Sequence, residues 1–147
     1  MLLYLDNCCL NRPYDDQAQL RIYLETLAKL SIQESILSRR NLLAWSYVLD
    51  YEVGRSPFVE RRERFLQWKQ IAARHCNESE SILQKAEEVQ KKGTKVVDSL
   101  HIACAINMEC DYLVTTDDGM LGKDFEGIMV IGPLDFIKIT AKEQGDD

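Results

Sequence analysis

Four short apolar runs, separated by longer segments, most strongly limit what this chain can fold into. The runs are residues 2–5, 42–45, 112–115 and 128–131, and each is bounded by polar residues or glycine. Apolar runs of this length are typical of strands that are buried on both faces of a sheet. Because strands that alternate with helices form parallel sheets, the pattern predicts an α/β fold with a central, mainly parallel sheet of four to five strands and helices on both faces.

The segments between these runs carry helix signals. Asp15 or Asp16 can cap a first helix, whose apolar positions keep helical spacing. These positions are Leu20, Leu24, Leu27, Ala28 and Leu30. A second helix can be capped by Asn77 or Ser79, and a third fits residues 97–109. The chain is therefore predicted to alternate strands with helices along most of its length.

Length and composition favour one domain. With 147 residues and 46% hydrophobic residues, the chain can build one real core, so we expect a single domain over residues 1–147 with a frayed tail at 141–147. No run reaches the ~20 apolar residues of a membrane span. The start "MLLYLD" lacks the basic region of a secretory signal. The cysteines are odd in number and have no CxxC spacing, which favours reduced thiols and a cytoplasmic protein without a membrane partner.

The charge of the chain is unevenly distributed. The net charge is −6, yet residues 55–74 hold six Arg or Lys against two Glu, a local charge of +4 that leaves −10 for the rest. The basic residues are Arg55, Arg61, Arg62, Arg64, Lys69 and Arg74. This segment could bind a phosphate backbone, or it could be a solvated helix face laced with Glu–Arg pairs. Both interpretations stay open at this stage.

Carboxylates are expected at the carboxyl ends of the strands. Asp6 and Asp117 each follow a predicted strand, and in open α/β sheets the functional crevice lies beyond these ends. Each aspartate could also simply cap the next helix. Glu52 and Asp98 lie in helical segments rich in apolar residues, where a charge is costly to bury unless it is paired or binds a metal. The sequence therefore predicts a cluster of four acids at one edge of the sheet.

Four stretches of the sequence resemble, in order and spacing, the acidic signatures of PIN-domain nucleases, the fold of many bacterial ribonuclease toxins. They are "LYLDNCCLNRPYDD", "SYVLDYEV", "VVDSLHIACA" and "YLVTTDDGML". The most specific parts are Asp98 and Asp117, whereas the Glu52 stretch is the weakest because Asp50 lies two residues away. The resemblance implies a PIN-like three-layer sandwich that covers nearly the whole chain.

The same resemblance implies a site and an activity. Asp6, Glu52, Asp98 and Asp117 would hold one or two Mg²⁺ or Mn²⁺ ions and catalyse hydrolysis of RNA, with Thr116 as a hydroxyl ligand or support. Asp118 is a substitute candidate. Hard oxygen ligands suit these cations, which also relieve the repulsion between clustered carboxylates. RNA is the implied substrate, the basic residues Arg55, Arg61, Arg62 and Arg64 would bind it, and a protein antitoxin or a homodimer is an implied assembly.

One position departs from the family pattern. PIN domains commonly place Thr or Ser directly after the first aspartate and Asn after that, but Asn7 and Cys8 stand here. Asn7, with a contribution from Asn11, would then hydrogen-bond the water at the metal. The departure supports an alternative, a PIN-like module that binds protein or RNA without catalysis.

Two other kinds of site fit the sequence less well. A receiver-type phosphorylatable domain also gathers acids at strand ends, but it needs a lysine after a late strand, and "MVIGPLDF" offers none. A zinc site could be assembled on paper from cysteines and histidines. Its candidates, Cys8, Cys9, His75, Cys76, His101 and Cys104, do not have the spacing of zinc fingers or ribbons. His101 lies one helical turn after Asp98, and two interpretations of it stay open: a residue that orients Asp98, or a packed core residue.

Overall fold

A computed structural model describes residues 1–143 of the chain, in which helices and strands alternate. The elements are β1 (Leu2–Leu5), α1 (Asn7–Asn11), a 3-10 helix (Arg12–Tyr14), α2 (Leu20–Leu37), β2 (Leu42–Ser46), α3 (Tyr47–Gly54), α4 (Val59–Ile71), β3 (Arg74–Cys76), α5 (Glu80–Gln90), α6 (Val96–Asn107), β4 (Tyr112–Val114), α7 (Asp118–Leu121), β5 (Met129–Ile131) and α8 (Pro133–Glu143).

The strands form one five-stranded sheet in the order β3-β2-β1-β4-β5, and every neighbouring pair is parallel. In β1, Leu3 pairs with Leu43 of β2 on one side and with Tyr112 of β4 on the other. The four residues of β1 are all buried, as expected for a central strand covered on both faces. The predicted fold class is confirmed, and the five observed strands fall within the predicted four to five.

The sequence did not reveal β3. We expected a basic helix across residues 55–74, but α4 ends at Ile71 and the chain then turns into the edge strand β3. This strand has only three residues, of which Arg74 and His75 are exposed and polar. An edge strand of this kind needs no apolar run, so no pattern indicated it.

The strand order places a crevice between β1 and β4. From β1 the chain builds outward through β2 to β3, and it then crosses back to add β4 and β5 on the other side of β1. Connections leave β1 and β4 in opposite directions, so the chain separates at the carboxyl ends of these two strands. The residues that follow β1 and β4, Asp6 and Thr115 to Asp117, therefore face a common opening.

Helices cover the sheet, α5 packing on α6 and α2 on α8. The core between the layers contains Tyr4, Trp45, Ile102 and Phe136, each no more than 1% exposed. The N-cap of α5 is Ser79, one of the two predicted caps. None of the described helices is both long enough and apolar enough to cross a membrane.

The apolar face that the sequence predicts for helix α2 points mostly to solvent and not to the core. Of the predicted apolar positions, only Ala28 is buried, whereas Leu20, Leu24, Leu27 and Leu30 are exposed. The buried side carries Ile32 and Ile36 together with polar residues, namely Glu25, Thr26, Lys29, Gln33 and Ser35. Helical spacing identifies a face of a helix but not the direction in which that face points.

The buried polar side of α2 is stabilised by local partners. The carboxylate of Glu25 pairs with the Arg12 guanidinium, with an Oε1–Nε distance of 3.2 Å. Lys29 lies 6.0 Å above the centre of the Trp68 ring. The start of α2 also differs from the prediction, because Gln19 precedes its first residue and Asp16 instead accepts a hydrogen bond from the Ala18 amide.

The last helix extends into the expected tail. Residues 141–143 form the final turn of α8, and residues 144–147 lie outside the described part of the chain.

Candidate active site

Asp6 lies at the carboxyl end of β1, where it is 2% exposed and caps α1. Its Oδ1 accepts a hydrogen bond from the Cys9 amide at 2.9 Å, and its Oδ2 accepts one from the Thr115 hydroxyl at 2.6 Å. Burial raises the pKa of this carboxyl to about 6, although the two hydrogen bonds and His101 act in the opposite direction. Asp6 therefore caps a helix, as one sequence interpretation expected. It is also a buried acid with a raised pKa at the carboxyl end of β1, the position in which the other interpretation expected a functional crevice.

Thr115 connects the two strand ends. Its hydroxyl donates to Asp6 and accepts a hydrogen bond from the Asp117 amide at 3.0 Å. Asp117 in turn caps the short helix α7, its Oδ1 accepting from the Gly119 amide at 2.8 Å. The resemblance assigned the supporting hydroxyl to Thr116, but the structure gives this contact to Thr115. The Thr116 hydroxyl is buried and has no hydrogen-bond partner in the described part of the chain.

Asp98, in the first turn of α6, faces Asp117. Partial burial, followed by the charge of Asp117, raises the pKa of Asp98, while His101 and Lys95 lower it. A carboxyl group whose pKa is raised by the charge of a second carboxylate lies near that second group. The helix α6 therefore delivers its acid to the opening between β1 and β4.

Cys8, the second residue of α1, senses the charges of all four predicted acids. After partial desolvation of the sulfur, the charges of Asp6, Asp117, Asp98 and Glu52 raise the pKa of the Cys8 thiol to about 12. At this pKa Cys8 stays a thiol at neutral pH and is not an activated nucleophile. Contacts in the structure connect these acids in two pairs. Thr115 joins Asp6 to Asp117, and Asp98 lies one helical turn before His101, the partner of Glu52. The two pairs together define what we term the acid pocket.

Glu52 is held by a buried chain of hydrogen bonds. Its Oε1 lies 2.5 Å from His101 Nε2, and His101 Nδ1 lies 2.5 Å from the Tyr4 hydroxyl. The same hydroxyl lies 2.6 Å from Ser46 Oγ, which also caps α3. His101 and Tyr4 are almost completely buried, whereas the Glu52 side chain is 22% exposed. His101, which the sequence suggested as a partner for Asp98, therefore orients Glu52.

Asp50 points elsewhere. It accepts a hydrogen bond from the Trp45 indole at 2.8 Å and pairs with Lys69 at 3.0 Å. Two residues apart on one helix, Asp50 and Glu52 point in different directions. The geometry of α3 therefore favours Glu52 over Asp50 as the acid in the pocket.

The substitute and supporting residues have separate positions. Asp118 is paired with Arg21 of α2 at 2.7 Å, and its side chain is 74% exposed. This pairing, a hydrogen bond first of all, lowers the pKa of Asp118 and directs its carboxylate away from the acid pocket. Asn7 and Asn11 bind each other, with 2.9 Å from Asn11 Nδ2 to Asn7 Oδ1, and they share a hollow with Glu52.

Some arginines of the basic segment bind backbone carbonyls and others line hollows, and among the latter Arg55 also donates to the Tyr51 hydroxyl at 2.9 Å. The Arg62 guanidinium donates to the Ser56 carbonyl at 2.6 Å, and Arg74 donates to the Met108 carbonyl at 2.5 Å. These two side chains, like Lys69, fix the local fold. Arg55 and Arg61 instead line the hollow of about 230 Å³ that contains Glu52. Arg64 lines an adjacent hollow.

The acids have the oxygen donors that a hard cation prefers, but they are not gathered into a complete coordination sphere. Within residues 1–143, no three His, Cys, Asp or Glu side chains are gathered into a complete metal-binding group. The carboxylates of Asp6, Glu52, Asp98 and Asp117 nevertheless supply oxygen donors near the carboxyl ends of β1 and β4, and burial first, then the charge of a neighbouring acid, raises the pKa of Asp6 and Asp98. Oxygen donors of this kind suit Mg²⁺ or Mn²⁺ and not softer metals.

Comparison with known proteins identifies the fold. No protein-family model matches the chain, and no curated protein matches it. Among solved structures, FitAcB from Neisseria gonorrhoeae is 16% identical over 91% of this chain and 99% of that chain, with a TM-score of 0.59. VapBC2 from Rickettsia felis, crystallised with a DNA fragment from its promoter, is 18% identical over 88% and 97%, with a TM-score of 0.54. At these identities the likeness shows the fold alone, which is PIN-like.

The buried chain from Tyr4 to Glu52 yields a prediction about stability. Tyr4→Phe leaves His101 Nδ1 and Ser46 Oγ without their shared partner, and it should lower the free energy of unfolding by about 1–3 kcal/mol. Urea denaturation measures this loss. Tyr47→Phe is the matched control, because the Tyr47 hydroxyl has no hydrogen-bond partner among the described residues, and it should be neutral. Equal losses in the two variants would contradict the network.

The raised pKa of Asp6 predicts a pH dependence. Between its ordinary value of 3.8 and about 6, the folded protein retains a proton that the unfolded chain has released. Stability must therefore fall as pH rises through this window, by about 3 kcal/mol at about 1.4 kcal/mol per pKa unit. Asp6→Asn carries no charge and should be the more stable protein at pH 7 in EDTA, with the advantage disappearing near pH 4.

Urea denaturation at pH 4, 5.5 and 7 tests this expectation. Asp135→Asn, which removes an exposed carboxylate from α8, is the control and should follow the parent. An Asp6→Asn protein that is less stable than the parent at pH 7 would show that the charged form is the stabilising one.

Proposed function

We propose that this protein is a divalent-metal-dependent endoribonuclease that hydrolyses RNA phosphodiester bonds. The observation that carries this proposal is the hydrogen-bond network at the carboxyl ends of β1 and β4, which joins Asp6 to Asp117 through Thr115 and holds Glu52 through His101, one helical turn after Asp98. Parallel α/β sheets place their functional crevice at such strand ends. Arginines beside the hollow that contains Glu52 supply the positive charge that an anionic substrate needs.

Asp6, Glu52, Asp98 and Asp117 would hold one or two Mg²⁺ or Mn²⁺ ions. When bound, such an ion lowers the pKa of water for attack on phosphorus and neutralises the charge of the phosphate. Burial is the main cause of the raised pKa values of Asp6 and Asp98, and the charge of a neighbouring acid adds to it in both cases. The site therefore gains most from a ligand that is positively charged and accepts oxygen donors.

Residues of this chain prepare the site in two ways. Backbone and hydroxyl donors hold the Asp6 carboxylate, and His101 holds that of Glu52, so both acids have restricted orientations before a ligand arrives. On the opposite rim, Arg55 and Arg61 would bind substrate phosphates at the mouth of the hollow. Asn7 faces the same hollow and would hydrogen-bond the attacking water.

Two alternatives predict different behaviour. A PIN-like module without catalysis would bind RNA or protein but release no products. A receiver-type domain is disfavoured by topology, because its sheet has the order 2-1-3-4-5, whereas this sheet has the order 3-2-1-4-5. Metal-dependent cleavage of RNA separates the nuclease from both alternatives.

We also propose that an antitoxin protein covers the exposed leucines of α2. Leu20, Leu27, Leu30 and Leu37 are all more than 45% exposed, and with Leu24 they follow a nearly heptad spacing along an 18-residue helix. This spacing favours a helical partner that packs against α2. The similar structures FitAcB and VapBC2, the latter bound to promoter DNA, support an assembly of this kind. Pairing of α2 with a second copy of the chain is the competing assembly.

The acidic cluster leads to the decisive experiment. Asp6→Asn, Asp98→Asn and Asp117→Asn should each lower metal-dependent cleavage of single-stranded RNA more than about 100-fold, the upper end of losses for residues that only support ligands. Glu52→Gln should behave in the same way. Asp50→Asn, on the same helix but paired with Lys69, is the matched control and should retain activity.

A second measurement does not depend on activity. Mn²⁺ at 100 times its dissociation constant should stabilise the parent by about 2.7 kcal/mol and leave Asp98→Asn much less affected. A parent that neither cleaves RNA with Mg²⁺ or Mn²⁺ nor is stabilised by them contradicts the proposal. Loss of activity in Asp50→Asn but not in Glu52→Gln would exchange the roles of these two acids.

The leucines of α2 generate a separate prediction. Leu24→Asp with Leu27→Asp should abolish copurification with the small protein encoded by the adjacent gene, while thermal unfolding changes little because both side chains are exposed. Arg39→Asp, beyond the end of α2, is a charge-matched control and should leave the complex intact. If light scattering shows a parent dimer that the double variant converts to monomers, α2 is a subunit interface instead.

A further inference from the structure

A row of stacked side chains extends from the core to the rim of the acid pocket. The ring of Tyr14 packs edge-on against the buried Phe65, with 6.1 Å between the ring centres. The Arg61 guanidinium lies 4.3 Å from the centre of the Tyr14 ring and 4.1 Å from that of Phe58. The row Phe65, Tyr14, Arg61 and Phe58 therefore begins in the interior and ends at Phe58.

Phe58 ends this row with a surface that is left partly uncovered by residues 1–143. Arg61 lies over one face of its ring, and 51% of the residue nevertheless remains exposed. A large exposed aromatic ring loses apolar contact that burial would provide, so it marks a surface for a ligand. The ring next to it, Tyr14, is also 39% exposed.

The backbone around Phe58 is fixed before any ligand binds. Its amide donates to Ser56 Oγ at 3.3 Å, and its carbonyl accepts from the Arg62 amide at 3.1 Å. The Arg62 guanidinium closes the turn by donating to the Ser56 carbonyl. The backbone of Phe58 is fixed in this way and Arg61 lies over one face of its ring, so a flat ligand that stacks on the other face costs little conformational freedom.

Phe58 and Arg61 also separate two hollows. On one side lies the hollow of about 230 Å³ that contains Glu52, Asn7 and Arg55. On the other side lies one of about 770 Å³, lined by Tyr14, Arg64 and Gln67 together with Glu60 and Glu63. A chain that leaves the acid pocket along Arg55 must therefore cross Phe58 to reach Arg64.

We propose that the outer face of Phe58 is a stacking site for one unpaired RNA base, which sets the path of a single strand from the acid pocket to Arg64. An exposed aromatic ring flanked by arginines is the combination that binds single-stranded nucleic acid, because bases stack on the ring while the arginines bind phosphates. The positive charge of Arg55, Arg61 and Arg64 matches a polyanion. Paired RNA would not present a free base face to Phe58. This inference rests on the proposed ribonuclease function and names how its substrate is held.

Two RNAs distinguish stacking from charge. One is a fluorescein-labelled strand of eight uridines, and the other has the same backbone without bases. Their dissociation constants are measured with Mg²⁺ in the Asp98→Asn background, which is expected not to cleave them. Phe58→Ala should weaken binding of the uridine strand by about 5- to 100-fold, the loss of one stacked base, and leave the abasic strand unchanged. Phe58→Trp should bind the uridine strand at least as well as the parent.

Two controls complete the experiment. Arg64→Ala should weaken both RNAs, with a smaller dependence on salt, because a phosphate contact is lost. Leu66→Ala removes an apolar side chain of similar exposure from the same helix and should leave both unchanged. Circular dichroism melting confirms that each variant is folded.

The outcomes separate this inference from the proposed function. If the parent cleaves RNA but Phe58→Ala binds both strands like Leu66→Ala, or weakens both equally, the stacking site is wrong and the nuclease stands. If the parent binds the uridine and abasic strands equally well, the stacking site is likewise wrong. If the parent fails to cleave RNA with Mg²⁺ or Mn²⁺ but the uridine strand depends on Phe58, the base site stands and the nuclease does not.

Discussion

The burial of the Asp6 carboxylate at the end of the central strand is the constraint on which the rest of the site depends. An ionised carboxylate almost without solvent costs several kcal/mol unless donors surround it. The Cys9 amide supplies one donor by starting α1, and the Thr115 hydroxyl supplies the other by standing directly after β4. Since Thr115 also accepts from the Asp117 amide, satisfying Asp6 fixes the position of Asp117. One buried charge thus sets the distance between two strand ends.

A second buried series of hydrogen bonds fixes the position of Glu52. Tyr4, on the same strand as Asp6, contacts Ser46 at the end of β2 and His101 in α6, and His101 reaches Glu52 in α3. Successive residues of a strand point to opposite faces, but Tyr4 and Asp6 share a parity and therefore a face. The side of β1 that faces α6 consequently organises both acids. Removing a member of either series of hydrogen bonds would leave buried donors without partners. This cost explains why polar side chains are present in so apolar a core.

How well the sequence predicts each element depends on the residue pattern that the element requires. β1, β2 and β4 were predictable because two-sided burial requires continuous apolar runs. β5 also has an apolar run, although it is an edge strand whose Met129 is exposed. The positions of Asp6 and Asp117 were predictable because these residues follow such runs. β3 was not, since an edge strand of Arg74, His75 and Cys76 requires no apolar run. The orientation of α2 was missed because its periodic leucines face outward, while Arg12 and Trp68 stabilise the polar residues that face inward. Thr115 was missed because two neighbouring threonines have the same composition and differ only in the direction of their hydroxyls.

The geometry of the site gives the basic segment of this acidic chain a physical role. Four carboxylates in a pocket repel a polyanion at long range, so a substrate strand requires an opposing positive surface close to the acids. Arg55 and Arg61 occupy that position because α3 ends and α4 begins beside Glu52. Arg61 is stacked between Tyr14 and Phe58, and within residues 1–143 it forms no ion pair with an acid. An aromatic sandwich leaves the guanidinium edges free to donate hydrogen bonds, which a Glu–Arg pair would consume. The aromatic residues of this rim therefore keep an arginine available for phosphate next to a site whose own charge would repel it.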